Sequence, residues 1–244
     1  MPHIEPYDVA PVTEPEQGLY LPQAVLWDMD GTLVDTEPYW MAAELALMGE
    51  FGLPWAPEDG LGTLGMPLLE VAAALQAHGV PLPPEEIVDR MLSSVVAAVA
   101  HDVPWQPGAR ELLVALQEAG VPCALVTMSY RALADAVTAH APAGAFSAVI
   151  PGDEVTHGKP HPEPYRLAAD ALGVDIRECV AIEDSPPGVA SALASGARTI
   201  GVEHIAPVER KPGLSRVSSL TGIGLAEVAR IVAGETIDLL DEPA

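Results

Sequence analysis

The sequence predicts an α/β protein in which an open parallel sheet is interrupted early in the chain by a helical insertion. Short apolar runs at 24–27, 123–127 and 179–183 stop abruptly at polar residues, as buried strands do. From Trp105-Gln106-Pro107-Gly108 onward, helix-like and strand-like stretches alternate, the pattern of βαβ units and so of a parallel sheet. Between the first strand and that alternation, residues 37 to about 104 show only helical spacing. A chain of 244 residues is long enough to bury a real core around such a sheet.

Residues 1 to about 20, rich in Pro and Glu and without apolar periodicity, read as a flexible tail. Val25-Leu26-Trp27 forms the first strand and delivers Asp28-Met29-Asp30-Gly31-Thr32 to its carboxyl end. Thr36-Glu37-Pro38 reads as a helix start, with Thr36 capping and Pro38 in the first turn, and helical spacing continues to Phe51. The stripe of Trp40, Leu45 and Met48 is expected to pack inside the insertion. Amphipathic stretches at 67–78 and 84–100 are separated by Gly79-Val80-Pro81-Leu82-Pro83-Pro84, a strong breaker.

The expected core comprises residues 21–36 and 105–244, with the insertion at 37–104 and hinges near 36–38 and 104–107. Within the core, helices are expected near 108–119, 130–140, 162–172 and 187–195, with strands near 123–127, 147–150, 179–183 and 198–202. A last strand and a helix near 224–233 complete it. The loop from Pro207 to Arg216, rich in basic residues, reads as a solvated face. The chain shows no internal repeat.

Composition excludes several classes of function. The formal charge is −24 and Lys and Arg number only 11, too few to neutralise a polyanion, so nucleic acid and anionic membranes are disfavoured as partners. No apolar stretch approaches the roughly 20 residues that cross a bilayer. The first Lys or Arg is Arg90, so the amino terminus lacks the basic region of a secretory signal, and a cytoplasmic location is expected. Cys123 and Cys179 each open an apolar run and read as buried thiols in a reducing compartment. A monomer or weak homodimer is expected.

The chemistry concentrates where strands end, which is where open α/β sheets bind ligands. Strand alternation points Asp28 and Asp30 to one side, and Gly31 lets the backbone turn sharply beside them. One acid can attack while its neighbour moves protons. The run Cys123-Ala124-Leu125-Val126 ends at Thr127-Met128-Ser129, a loop carries Gly158-Lys159-Pro160, and Cys179-Val180-Ala181-Ile182 ends at Glu183-Asp184-Ser185. If these strands are neighbours, Asp28, Asp30, Glu183 and Asp184 converge. Like charges about 4 Å apart repel by roughly 4 kcal/mol per pair at an effective dielectric near 20, so a cation is required. All-oxygen ligation favours a hard ion, Mg²⁺ above others where phosphate oxygens share it. Ser185 is suited to cap the helix beginning near Pro186, and Ser129 to cap the one after Met128. His157 and His161, beside an oxygen-rich site, read as loop or surface residues.

In order and chemistry this set resembles the haloacid dehalogenase superfamily, in the branch of β-phosphoglucomutase and small sugar phosphatases. The resemblance runs from about Ala24 to Val202. It includes Gly152-Asp153-Glu154-Val155-Thr156-His157-Gly158-Lys159-Pro160-His161-Pro162 and Ile182-Glu183-Asp184-Ser185-Pro186-Pro187-Gly188-Val189. It implies a Rossmann-like core with an inserted cap. It further implies that Asp28 and Asp184 ligate Mg²⁺ through carboxylates, Asp30 through its carbonyl, and Glu183 either directly or through water. Asp28 is then the nucleophile, Asp30 the acid and base, and Lys159 the partner of both Asp28 and phosphate. Thr127 and the Met128 amide are suited to phosphate oxygens.

At Gly65-Met66-Pro67, where many relatives carry Gly-Arg or Gly-Lys, this sequence has no cation. Hydrolysis of a small monophosphate, from a sugar, polyol or similar metabolite, is therefore favoured over a mutase that must hold a second phosphate. A sugar phosphomutase and a non-catalytic binding protein remain as alternatives.

Overall fold

In the computed structural model, which describes residues 18–63 and 66–240, six strands hydrogen-bond into one sheet. The strands are Ala24–Trp27 (β1), Cys123–Val126 (β2), Phe146–Ile150 (β3), Cys179–Glu183 (β4), Arg198–Val202 (β5) and Leu214–Val217 (β6). All pairings are parallel and the order is β3-β2-β1-β4-β5-β6. The strand order reverses between β1 and β4, and in such sheets ligands bind in the crevice at that reversal. The expected tail at 1–20 lies almost wholly outside the described residues.

β1 is central, its only polar side-chain atom is the indole nitrogen of Trp27, and all four residues are fully buried. Alternation sends Val25 and Trp27 to one face and Ala24 and Leu26 to the other. The second face uses small residues. Ala124, Ala168, Ala181 and Ala192 let the helices Glu163–Leu172 (α7) and Pro186–Ser195 (α8) approach the sheet closely. The first face takes larger side chains, with Ala109–Glu118 (α5), Arg131–Thr138 (α6) and Leu225–Val232 (α9) contributing Leu112, Leu116, Leu133 and Val228.

Four helices separate β1 from α5: Glu37–Glu50 (α1), Pro57–Thr63 (α2), Leu68–Ala77 (α3) and Pro84–His101 (α4). α4 packs against α1, α3 and α6, so the apolar cluster of the first sheet face runs on into these helices. No helix among the described residues is long and apolar enough to cross a membrane. Cys123 and Cys179 are buried free thiols, both pushed up to about 12 by burial.

Several expectations need correction. α2 adds a helix to those the sequence delimits in the insertion, because Pro57-Glu58-Asp59-Gly60-Leu61-Gly62-Thr63 holds two glycines and little apolar periodicity to mark it. Leu45 does not pack inside with Met48. It is 57% exposed, since α1 buries the face of Ala43, Glu44, Leu47 and Met48 instead. The end of the supposed solvated loop is β6, and Arg216 within it is buried, paired with Asp238 at 2.9 Å and donating to the Val208 carbonyl at 2.9 Å.

Candidate active site

Asp28 follows β1 directly, and its amide donates to the Ile182 carbonyl at 3.0 Å, tying it to the end of β4. Glu183 is the last residue of β4, so the two carboxylates face each other across the strand-order reversal. Lys159 enters from the loop before α7. Its Nζ stands 2.5 Å from Asp28 Oδ1, 2.6 Å from Glu183 Oε1 and 2.9 Å from the Val126 carbonyl. Burial opposes the lysine charge, but Asp28 and Glu183 outweigh it and hold the ammonium protonated beyond the ordinary lysine range. Burial, and then the Glu183 charge, push Asp28 well above the usual carboxylate range, against the pull of Lys159.

Glu183 is fully buried and its hydrogen-bonding capacity is spent. Oε1 accepts from Lys159 and from the Tyr165 hydroxyl at 3.0 Å; Oε2 accepts from the amides of Asp184 and Ser185 and the Ser185 hydroxyl, at 3.0–3.1 Å. These five donors meet the roughly four lone-pair directions of a carboxylate. Gly188 is required here: a Cβ at that position would lie 1.8 Å from Glu183 Oε1. Ser185 caps α8 as expected, its hydroxyl accepting from the Gly188 amide at 3.1 Å.

Asp184 lies at the crevice mouth, with Oδ1 accepting from the Thr32 hydroxyl at 2.9 Å. Burial, reinforced by Glu183, raises its carboxyl to about 7. Gly31, at φ +89°, passes beneath it, where a Cβ would come within 2.2 Å of Asp184 Oδ2. Asp28, Glu183 and Asp184 each offer an oxygen within 4.8 Å of the others.

The Asp30 carboxylate takes different partners. It accepts from three hydroxyls: Thr36, Thr127 at 3.2 Å and Ser129 at 2.8 Å. Two expected caps are therefore otherwise engaged. Thr36 makes no side-chain cap to α1, and Ser129 makes none to α6, whose first amide, Arg131, is met by Asp153 at 2.9 Å. The Thr127 hydroxyl also accepts from the Ser129 amide at 2.9 Å. The Met128 sulfur accepts from the Lys159 amide at 3.2 Å, and the Met128 amide itself donates to no group among the described residues.

Sequence reasoning missed Tyr165, Thr32, and the carboxylate-directed roles of Thr36 and Ser129. Thr32 and Ser129 sit inside the motifs already singled out, so position alone was a signal. Tyr165 gave none. A buried aromatic on an amphipathic helix reads as core, and only the fold brings its ring to 5.2 Å from Lys159 Nζ. His157 and His161 are exposed on the loop, as expected.

Residues 22–196 match the family model of haloacid dehalogenase-like hydrolases. Hexitol phosphatase B of Escherichia coli (strain K12) is 33% identical over 184 residues, spanning 73% of this chain and 82% of that protein. The fructose-1-phosphate phosphatase YqaB of the same organism is 30% identical over 180 residues, 73% of this chain and 95% of its own. Among solved structures, CbbY from Rhodobacter sphaeroides in complex with phosphate superposes with a TM-score of 0.75 at 28% identity, covering 85% of this chain and 99% of its own. The order of the six strands, the acids at the ends of β1 and β4 and these likenesses agree: the chain belongs to the haloacid dehalogenase-like hydrolases.

Proposed function

We propose that the protein is a Mg²⁺-dependent phosphatase acting on a small phosphorylated metabolite, a sugar or polyol monophosphate, through an aspartyl-phosphate on Asp28. The observation that carries the reading is the division of labour between the two acids of one turn. Asp28 is paired with Lys159 at 2.5 Å, while Asp30 is held by three hydroxyls.

The residues present fit a hard dication. Three buried or half-buried carboxylates share a single lysine, an excess of negative charge that a second cation would relieve, and every donor is oxygen. Asp28 and Asp184 would hold Mg²⁺ by side chain and Asp30 by its carbonyl. Glu183, with its oxygens saturated, would act through Lys159 and the amides it anchors. When bound, Mg²⁺ would spread the charge of the transferring phosphoryl group.

Lys159 draws the Asp28 carboxyl down against the burial that raises it, and with the dication would favour the ionised, attacking oxygen while facing the phosphate. That oxygen attacks phosphorus in line, the ester oxygen leaves, and Asp30 gives it a proton. Asp30 then takes a proton from the water that cleaves the aspartyl-phosphate. The hydroxyls of Thr127 and Ser129, with the free Met128 amide, are suited to orient Asp30 and receive phosphate oxygens. Residues 37–104 would act as the cap. Its two crossings pair with each other, Asp35 amide to Pro104 carbonyl at 2.8 Å and Gln106 amide to Leu33 carbonyl at 2.9 Å, a narrow joint suited to a hinge.

The mutase alternative loses support. Arg90, the only Lys or Arg between Glu37 and Pro104, sits on an exposed face bound to Glu50 and Glu86 at 2.9 and 2.8 Å, so no cap cation is spare for a second phosphate. The test is inorganic phosphate release from sugar, polyol, glycolate and nucleoside monophosphates, with Mg²⁺ and with chelator, using Asp28→Asn as control. Metal-dependent release lost in Asp28→Asn is expected. Release indifferent to Asp28 would overturn the mechanism, and thermal stabilisation by Mg²⁺ and phosphate without any release would favour a binding protein.

A further inference from the structure

Lys159 is flanked, two residues to either side, by His157 and His161, and the first turn of α7 brings Glu163 against both. His157 Nδ1 lies 2.7 Å from Glu163 Oε2 and His161 Nδ1 3.9 Å from the same oxygen. The two imidazole rings are 4.7 Å apart between centroids, and each of the three residues offers one ligand atom within 4.8 Å of the others. We propose that His157, His161 and Glu163 form a second metal site, selective for a first-row transition ion such as Zn²⁺, on the loop that carries Lys159.

The donor set argues for a different ion from the one at the sheet edge. Two imidazole nitrogens and one carboxylate suit Zn²⁺, Co²⁺ or Ni²⁺, whereas Mg²⁺ takes all-oxygen surroundings. The carboxylate is already positioned, since Glu163 accepts from the amides of Thr156 at 2.7 Å and His157 at 3.2 Å. The imidazoles are more than half exposed, so an ion reaches them from solvent and keeps water in its open positions. Seven residues span all three ligands, which keeps the entropy of closing the site small. The overall charge of −24 adds a field that concentrates cations at the surface.

A hydrogen bond between His157 Nδ1 and Glu163 Oε2 accounts for the shortest contact, and the Glu163 amide, donating to His161 Nδ1 at 3.2 Å, orients the second ring. Together they hold two exposed imidazoles and a carboxylate side by side, the arrangement a shared metal would use.

The position gives the site a consequence. The loop is held at His161 by the Ser191 hydroxyl, 2.6 Å from its carbonyl, and at Lys159 by the amide contact to Met128. An ion bridging residues 157, 161 and 163 closes a ring around Lys159, so occupancy would stiffen the segment that fixes its Nζ between Asp28 and Glu183.

The test is calorimetric titration of the full chain with Zn²⁺ in saturating Mg²⁺, so that the sheet-edge acids are already satisfied. One Zn²⁺ per chain is expected. Its affinity should fall at least tenfold in the His157→Asn/His161→Asn double variant, whose exposed positions leave the metal-free melting temperature unchanged, and should survive Asp184→Asn. If the double variant fails to fold, Glu163→Gln carries the same expectation. In the unaltered chain, Zn²⁺ should also shift the imidazole resonances of His157 and His161 while Mg²⁺ does not. Absence of Zn²⁺ binding, binding that survives loss of both histidines, or binding lost in Asp184→Asn instead would each overturn the site. None of these outcomes depends on phosphatase activity.

Discussion

At the carboxyl edge of the sheet, Asp28, Glu183 and Asp184 crowd around one lysine, whereas the buried Glu44 of α1 meets only neutral donors, Thr63 Oγ1 at 2.8 Å and Trp55 Nε1 at 3.3 Å. Burial raises the carboxyl pKa at both places, but the remedies differ. Glu44 can take up a proton and become an ordinary hydrogen-bonding group. The sheet edge has too many acids for that, and Lys159 compensates for only part of their charge. A fold that keeps such an excess needs a cation, and in this reading the need is functional: the same excess binds Mg²⁺ and poises Asp28.

The largest effect should come from Asp28→Asn. If the sheet edge is a nucleophilic site, phosphate release falls by at least about 10³-fold, because the attacking oxygen is gone while binding survives. The melting temperature should hold or rise, since one of three crowded charges has been removed. Activity within tenfold of the original would break the contrast by moving the chemistry elsewhere. Lys159→Met should come next. It leaves Asp28 and Glu183 without their cation, a loss of about 3–5 kcal/mol for a broken buried pair, read by denaturant unfolding in chelator. A change below about 1 kcal/mol would mean that the acids were already protonated in the metal-free fold.

The third effect separates the metal-free from the Mg²⁺-bound protein by pH. Asp184 rises from an ordinary aspartate to about 7 through burial and Glu183, and Glu37 rises to about 7 through burial and Asp30. Folded-state values above unfolded ones mean that the native chain binds more protons between roughly pH 4 and 7. Stability from these groups is therefore full below pH 4 and lost as pH rises through 7. In chelator the melting temperature should drop by roughly 5–10 °C between pH 5 and 8 from a loss of a few kcal/mol, and Mg²⁺ should flatten the slope. Parallel slopes with and without Mg²⁺ would show that the cation does not address these acids.

The two regions also differ in how far the sequence alone describes them. β1, β2, β4 and the helices α5, α7 and α8 lie within one or two residues of expectation, because uninterrupted apolar strands and apolar-periodic helices bounded by Pro and Gly leave few alternatives. Asp28, Asp30, Glu183 and Asp184 were legible for the same reason: an apolar strand that ends in an acid must aim it at the sheet edge, whereas Lys159, on a loop, was read from its motif and the resemblance. What stayed hidden depends on three-dimensional partners. Thr36 and Ser129 looked like caps because a hydroxyl before a helix usually is one, and only the fold offers Asp30 as the better acceptor. β6 lay hidden in a basic stretch because Asp238, the distant partner of Arg216, is what makes burying it affordable.

The smallest expected effect tests the other half of the comparison. In Glu44→Gln the carbonyl oxygen of the amide still accepts from Thr63. Its NH₂ group would face Trp55 donor to donor, or the side chain would rotate and give up one bond, a cost of roughly 0.5–1.5 kcal/mol. Against this, the variant removes whatever the buried carboxylate pays for its charge at neutral pH. The two terms nearly cancel, so the melting temperature at pH 7 should move by no more than about 3 °C, and less at pH 5, where Glu44 already carries more of its proton. A loss above about 3 kcal/mol would require an ionised Glu44 with a cationic partner, and Arg90, the only Lys or Arg in the insertion, is bound to Glu50 and Glu86 instead. The insertion would then be a second charged site rather than the neutral counterpart of the sheet edge, and the contrast from which the Mg²⁺ requirement was argued would lose its reference.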